Sequence, residues 1–341
     1  PGRAARAGVT PANKKFVRNL FHPDIVALCG RVFPVRDNAR MHLVIPFAAP
    51  LGNQCRLAVA QLKLPHLHQL LLAMPLASKI NGLSTDLSTL SERIATSDRF
   101  ADGLIPWAAL KTGLPDSALI TPCHLKVQAD HVAMADPNEL ALEDTESQAL
   151  MQAMASYFLE DGLTLQWLDA GNWLAQGPLL RDFPSASLER VRGQPVDPWI
   201  PRQAQAKTIR RLQNEMQMLL YTHPINDART ARGALPVSSF WLSGTGNLTD
   251  AANSLPALPD VEVLNQLQAP ALRDDAYAWM AAWHAIDQGP LKALLSDVQK
   301  AQISLCGATQ AHTFEHQPQS LWQRLRNRIQ PPSVASTLLS L

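Results

Sequence analysis

Residues 223–246 read HPINDARTARGALPVSSFWLSGTG, and this stretch decides how the chain is built. Before it, residues 203–222 place Ile209, Leu212, Met216, Leu219 and Leu220 on one helical face, with Lys207, Arg210 and Arg211 off it. Pro224 cannot continue that helix, because it lacks the backbone N–H and its ring clashes with the preceding turn. After a polar turn, 238–242 (SSFWL) has the composition of a buried strand and leaves through Gly244-Thr245-Gly246. Helix, polar turn and buried strand in succession make an α/β unit. The turn is the densest polar cluster in the chain. Asn226, Arg229, Arg232 and Gly233 can bind a carboxylate or phosphate there, since guanidinium offers a bidentate fork and the backbone offers N–H donors. The same residues also fit plain helix termination, with Asn226 as a cap and both arginines in solvent.

Working outward, 163–168 (LTLQWL) is a strand, and 144–159 is an amphipathic helix presenting Leu150, Met151, Met154, Tyr157 and Phe158. Residues 119–135 alternate around Ala129-Asp130 as a hairpin would. Toward the N-terminus, 42–47 (HLVIPF) is a first strand and 51–72 is helical, broken at Pro65. Residues 75–88 read as a polar loop, Thr89 to Glu92 has capping-box spacing, and Pro106-Trp107 starts another helix. On the C-terminal side 261–264 and 303–306 are short strands, while 276–286, 291–298 and 321–329 are helical. Strands alternating with helices predict an α/β layered sheet with helices on both faces, and 119–170 is a candidate α+β insertion.

Composition bounds the function without naming it. The chain has 341 residues, 46% of them hydrophobic and 17% charged, with 26 prolines. That is enough to bury a large core without a disulfide or structural metal, over a weakly charged, loop-rich surface. The formal charge of +1 is uneven: residues 1–40 hold eight basic and two acidic residues, and the remainder carries a net −5. A negative body disfavours an extended nucleic-acid footprint. Met41 opens the first strand, so 1–40 is expected to be a poorly ordered basic arm or an upstream extension. No apolar stretch approaches the roughly 18 to 20 residues that span a bilayer. Cys29, Cys55, Cys123 and Cys306 are widely spaced and have no metal-ligand pattern, which fits buried thiols in a reduced cytoplasm.

Several motifs fail on context. His312-Thr-Phe-Glu315-His316 spells H-x-x-E-H, but Pro318 closes the segment and no Asp or Glu follows it, so an exposed polar loop is expected. Gly244-Thr245-Gly246 lacks the third glycine of a dinucleotide fingerprint. P-loop and nucleophile-elbow motifs are missing from the sequence. Trp279 and Trp283, and likewise Leu321 and Trp322, have the spacing of core residues.

His223, Pro224, Asn226, Arg229, Gly233, Pro236, Gly244 and Gly246 together resemble a motif of the archaeal-type cofactor-independent phosphoglycerate mutases, of the alkaline phosphatase superfamily. The resemblance extends back through 123–127, the acidic helix start 143–146 and the 163–168 strand. Residues 41–330 also resemble the proteobacterial RpfE-type regulatory proteins. These resemblances imply an alkaline-phosphatase-like sheet formed by 41–118 and 236–330, an inserted substrate-side domain at 119–235, and a tail at 331–341. They imply an anion or substrate site at His223, Asn226, Arg229, Arg232 and Ser238.

The departures matter as much. Such mutases hold two manganese or zinc ions on Asp and His residues, beginning with an Asp-Gly pair after the first strand. Here that strand runs into Ile45-Pro46-Phe47-Ala48-Ala49, and the C-terminal part has no D-x-x-x-H or D-H-G cluster. Ser238 and Ser243 stand where the mutases more often have Asn and Arg. The expectation is a mutase-like protein without the two-metal site or any cofactor, serving regulation, ligand sensing or partner binding. Its partner would be a phosphorylated small molecule or another protein, with no membrane and no nucleic acid. The alternative is an active mutase or phosphatase with metal on His124, Asp130, His131, Asp136 and His223. A third reading is a nucleic-acid-associated scaffold that uses the basic arm.

Overall fold

A computed structural model describes residues 41–248, 261–317 and 332–341. The basic arm with Cys29, and the helix expected at 321–329 with Trp322, lie outside the described residues.

The first strand is β1 (Met41–Ile45), buried along four of its five residues. Helices α1 (Asn53–Ala58) and α2 (Pro65–Ala73) follow, with Pro65 in the first turn of α2, where a missing N–H costs nothing. The polar loop expected at 75–88 instead contains a strand, β2 (Leu76–Asn81). It is an exposed edge strand, so its sequence lacks the apolar alternation that marks a half-buried one. Helix α3 (Leu90–Ala95) carries the expected capping box, Thr89 with Glu92. Helix α4 (Trp107–Thr112) ends on Gly113, whose φ of +75° suits a glycine C-cap.

The chain then builds a second sheet. Strand β3 (Ser117–Cys123) is buried along its whole length. The expected hairpin is real only in its second half, as β4 (Leu125–Val127) and β5 (Val132–Met134). Because β3 is covered on both faces, its unbroken apolar run hides where its partners lie. Those partners are β7 (Asn172–Gln176), reached through α5 (Asp144–Glu160) and β6 (Thr164–Asp169), and β8 (Ser239–Ser243). Between β7 and β8 run α6 (Leu188–Val191), α7 (Ala206–Tyr221) and α8 (Pro224–Ala231). The order β6-β7-β3-β8 is antiparallel throughout. Strand β8, grouped by sequence with 236–330, therefore completes the second sheet rather than the first one.

Strand β9 (Val261–Val263), α9 (Gln268–Leu272), α10 (Ala276–Ile286), β10 (Ala301–Cys306) and β11 (Gln310–Glu315) return the chain to the first sheet. Its order is β2-β11-β10-β1-β9, with β1 parallel to β9 and β10, and β11 antiparallel to both its neighbours. The H-x-x-E-H stretch is thus strand rather than loop as far as Glu315. His312, Thr313 and Phe314 lie inside β11 and are buried. Thr and Phe favour the pleated state, and two flanking strands override the polar look of the run.

Each sheet has its own core. One joins Leu43, Ile45, Leu67, Leu70, Trp279, Trp283, Ile303 and Leu305 with Leu338 of the C-terminal helix Val334–Leu339. The other is drawn wholly from the stretch between Ala118 and Leu242, with Phe158, Trp173, Leu212, Met216 and Phe240 at its centre. Cys55, Cys123 and Cys306 are buried free thiols. Among the described residues no helix is long and apolar enough to cross a membrane.

Candidate functional site

The turn between α7 and β8 is built as a clamp. Pro224 does end α7, but it also opens α8, whose N-cap is His223 rather than Asn226: its Nδ1 accepts the Ile225 N–H at 3.3 Å. Asn226 lies inside α8 and is buried. Its amide donates to the carbonyls of Leu220 (2.9 Å) and Val237 (2.7 Å), and its Oδ1 accepts the Val237 N–H (2.9 Å). Both amide hydrogens and the oxygen are therefore spent on joining the end of α7 to the entry of β8.

Arg229 is fully buried, not in solvent. Its Nε donates to the Leu235 carbonyl at 2.9 Å, Nη1 to Glu146 Oε2 at 2.5 Å, and Nη2 to the Leu140 carbonyl. Arg232, whose side chain is 44% exposed, takes the other Glu146 oxygen at 2.7 Å. Glu146 thus meets two guanidinium groups and accepts the Glu143 N–H at the start of α5. Burial works against its charge, but the Glu143 N–H and the Arg232 and Arg229 cations together hold its carboxyl below the ordinary range. Ser238 accepts the Leu125 N–H on its Oγ (2.8 Å) and donates its own N–H to Cys123 (3.0 Å). His124 Nδ1 donates to the Pro236 carbonyl at 2.8 Å.

The structure accordingly brings Asn226 and Arg229 into one region, with every polar atom named above aimed at protein, and adds Glu146 as their hub. Sequence spacing misses that hub because the partner stands 83 residues away. Arg232 is the exposed member of the set, and His223 and Ser238 are half-buried beside the clamp. The two glycines that close the motif are steric necessities. Gly244 and Gly246 have φ of +70° and +115°, and a Cβ on Gly246 would stand 2.3 Å from the Leu104 carbonyl oxygen.

In an open parallel sheet, ligands gather at the carboxyl ends of the strands where the strand order reverses. That place here is the end of β1, between β9 and β10. Ile45 and Ala48 are buried there, Ala48 donates its N–H to the Cys306 carbonyl, and Trp279 reaches the Phe47 carbonyl. Two divalent cations need several carboxylates or imidazoles, and this apolar edge does not fit them. The other ligand set fits no better. His124 is held by Pro236, His131 Nδ1 by Asp130 at 2.6 Å, Asp136 caps the turn at Asn138, and His223 caps α8. Among the described residues no three His, Cys, Asp or Glu side chains converge as a metal site would require.

A second polar cluster lies where the two sheets meet. Glu92, in the first turn of α3, is buried, and its carboxyl accepts the Thr89 N–H and hydroxyl and the Trp107 indole N–H. Burial pushes its carboxyl above the ordinary range; the Thr89 donors pull it back, and the Glu189 charge adds to the rise. Nearby, Arg190 donates to the Ser88 carbonyl at 3.0 Å and stacks on Trp199.

No family model and no curated protein matches the chain. Among solved structures, it is similar to a cofactor-independent phosphoglycerate mutase from Thermoplasma acidophilum, with 13% identity and a TM-score of 0.33, over 84% of this chain and 94% of that one. It is also similar to the PH0037 protein from Pyrococcus horikoshii, with 11% identity and a TM-score of 0.38, over 82% of this chain and 88% of that one.

Proposed function

We propose that this is a phosphoglycerate-mutase-like protein without a two-metal phosphoryl-transfer centre, acting by binding rather than by turnover. The observation that carries this is the exit of β1. Ile45-Pro46-Phe47-Ala48 offers no charged or imidazole ligand where the chemistry would need one, and Phe47 and Ala48 are tied into the packing there. The motif at 223–246 supports kinship of fold, and the RpfE-type resemblance of 41–330 supports a regulatory role. In this view 41–118 with the return from β9 onward is the host, and the insert that begins at 119 runs on through β8. The bound species is a phosphorylated small molecule or a protein partner. Arg232, exposed beside the motif, and the half-buried His223 are the ones that meet an anion, while Asn226, Arg229 and Ser238 hold the turn.

The test is a calorimetric titration of 3-phosphoglycerate with and without manganese, paired with a mutase assay on the same samples. The expected result is no manganese-dependent turnover. Any saturable heat should weaken in Arg232→Ala, a variant that leaves the buried arginine in place. Manganese-dependent turnover would overturn the proposal.

A further inference from the structure

A narrow cleft opens on the seam where α3 meets residues 183–192 and the exit of β8. Its free interior of about 10 Å³ takes one water-sized group. Glu92 is the one ionisable side chain in its lining, which otherwise includes Ser88, Trp107, Ser185 and Ser187. Every hydrogen bond at that carboxyl is accepted. Oε2 takes the Thr89 N–H at 2.8 Å and the Thr89 hydroxyl at 2.9 Å, and Oε1 takes the Trp107 indole at 3.2 Å. Three donors and no acceptor suit a carboxylate, not an acid with a proton to place.

The hydroxyls in the lining are left with oxygen to spare. Ser187 stands at the N-cap of α6, where a serine hydroxyl ordinarily accepts a helix N–H. Here it accepts none: Ser187 is 7% exposed, and its buried Oγ has no partner. Ser185 meets the Thr245 hydroxyl at 2.8 Å, and Thr245 donates to the Phe183 carbonyl at 2.5 Å. Ser185 must then donate to Thr245, which leaves the lone pairs of Ser185 Oγ unspent. Positive charge is what the cleft lacks. Among the described residues no Lys, Arg or His forms an ion pair with Glu92. Arg190 donates to the Ser88 carbonyl, lies over Trp199 and shares its charge among Glu92, Asp86 and Asp102. Arg93 is held by Asp98 at 2.7 Å, and Glu189 adds a further negative charge, met by Arg192 at 3.2 Å.

We propose that the cleft binds one monovalent cation of about the size of water, potassium or ammonium, held by the Glu92 carboxylate with the hydroxyl oxygens of Ser187 and Ser185. A buried carboxylate needs a positive partner, because an unpaired charge away from water is costly. Carboxylate and hydroxyl oxygens are hard donors, which suit such an ion. A divalent ion does not fit: magnesium keeps several waters and calcium takes about six to eight oxygens, whereas the cleft has one carboxylate and room for one group. Helix α3 packs on the first sheet through Leu90 and Ile94, and Ser187 belongs to the connection between β7 and β8. The bound ion therefore joins the two halves of the seam.

The experiment is urea unfolding of the full chain near neutral pH in the chlorides of potassium, ammonium, sodium and tetramethylammonium, at one ionic strength. Potassium and ammonium should raise the folded-to-unfolded ratio over tetramethylammonium, by up to about tenfold for each tenfold rise in concentration above the dissociation constant. Sodium, the smaller ion, should do less. Glu92→Gln keeps an acceptor for the Thr89 N–H but loses the charge, so the gain should vanish. Ser187→Ala leaves the carboxylate in place and should move half-saturation to higher concentration. Equal ratios in all four salts, as a lone water in the cleft would give, would overturn the proposal. So would a gain as large in sodium, a gain that survives Glu92→Gln, or a half-saturation unmoved in Ser187→Ala.

Discussion

Arg229 shows how far a side chain's setting can depart from its sequence context. It follows a polar run and precedes a second arginine, yet it is buried against Glu146 while Arg232 stays at the surface. Removing it leaves Glu146 short of a buried partner, so Arg229→Ala should cost about 3–5 kcal/mol. Arg232→Ala, which removes a partly exposed pair, should cost about 0.2–1 kcal/mol. Urea denaturation of both variants checks this; equal losses would mean that the buried pair is not the hub. The sequence made the importance of Asn226, Arg229, Gly244 and Gly246 legible through their spacing. It left their purpose open, because a guanidinium that binds an anion and one that binds a distant glutamate look alike in one dimension.

At the scale of the element, three strands are joined by a buried polar line. His42 Nε2 on β1 meets the Ser304 hydroxyl on β10 at 2.8 Å, and that hydroxyl meets Thr313 on β11 at 2.6 Å. Burial pushes the His42 imidazole down to about 4. The unfolded chain takes up this proton near 6.5 and the folded chain does not, so stability is lost as pH falls from about 6.5 toward 4. The loss should reach up to roughly 3 kcal/mol. His312, also lowered by burial and by Lys79, acts in the same sense. Urea midpoints across this window should fall in the natural chain, and His42→Gln should remove His42's share; an identical profile in that variant would refute the assignment. Helices with clear faces, α5, α7 and α10, were legible from apolar spacing. The edge strand β2 and the buried β11 were not, since pairing rather than composition makes them strands.

For the molecule as a whole, the division of the cores is the governing fact. The second core takes nothing from outside the segment between Ala118 and Leu242, and the first takes nothing from inside it. A chain of residues 117–243 should therefore fold alone, with one cooperative urea transition. Its exposed cost is the packing of Leu119 and Leu174 against Ala108 of α4 and of Leu87 beside Trp241, with the hydrogen bonds of Ser185, Ser187 and Arg190 to Gly103, Leu87 and Ser88. Absence of a cooperative transition in that fragment would show that the seam carries part of its stability. Sequence alone foretold a mixed α/β chain with layered sheets. It could not show that β8 joins the second sheet, because a buried strand does not announce which neighbour it will pair with.

The chain enters the second sheet on β3 and leaves it on β8, and these two strands pair directly, Leu119 opposite Ser243. Directly opposed antiparallel residues stand about 4.5–5.5 Å apart. The way in and the way out are thus side by side, as in a bead clipped onto a string. A segment with such adjoining ends can be grafted into a surface loop of another protein without stretching its new host. By the same geometry, its excision leaves two stumps that a splice of a few residues can rejoin.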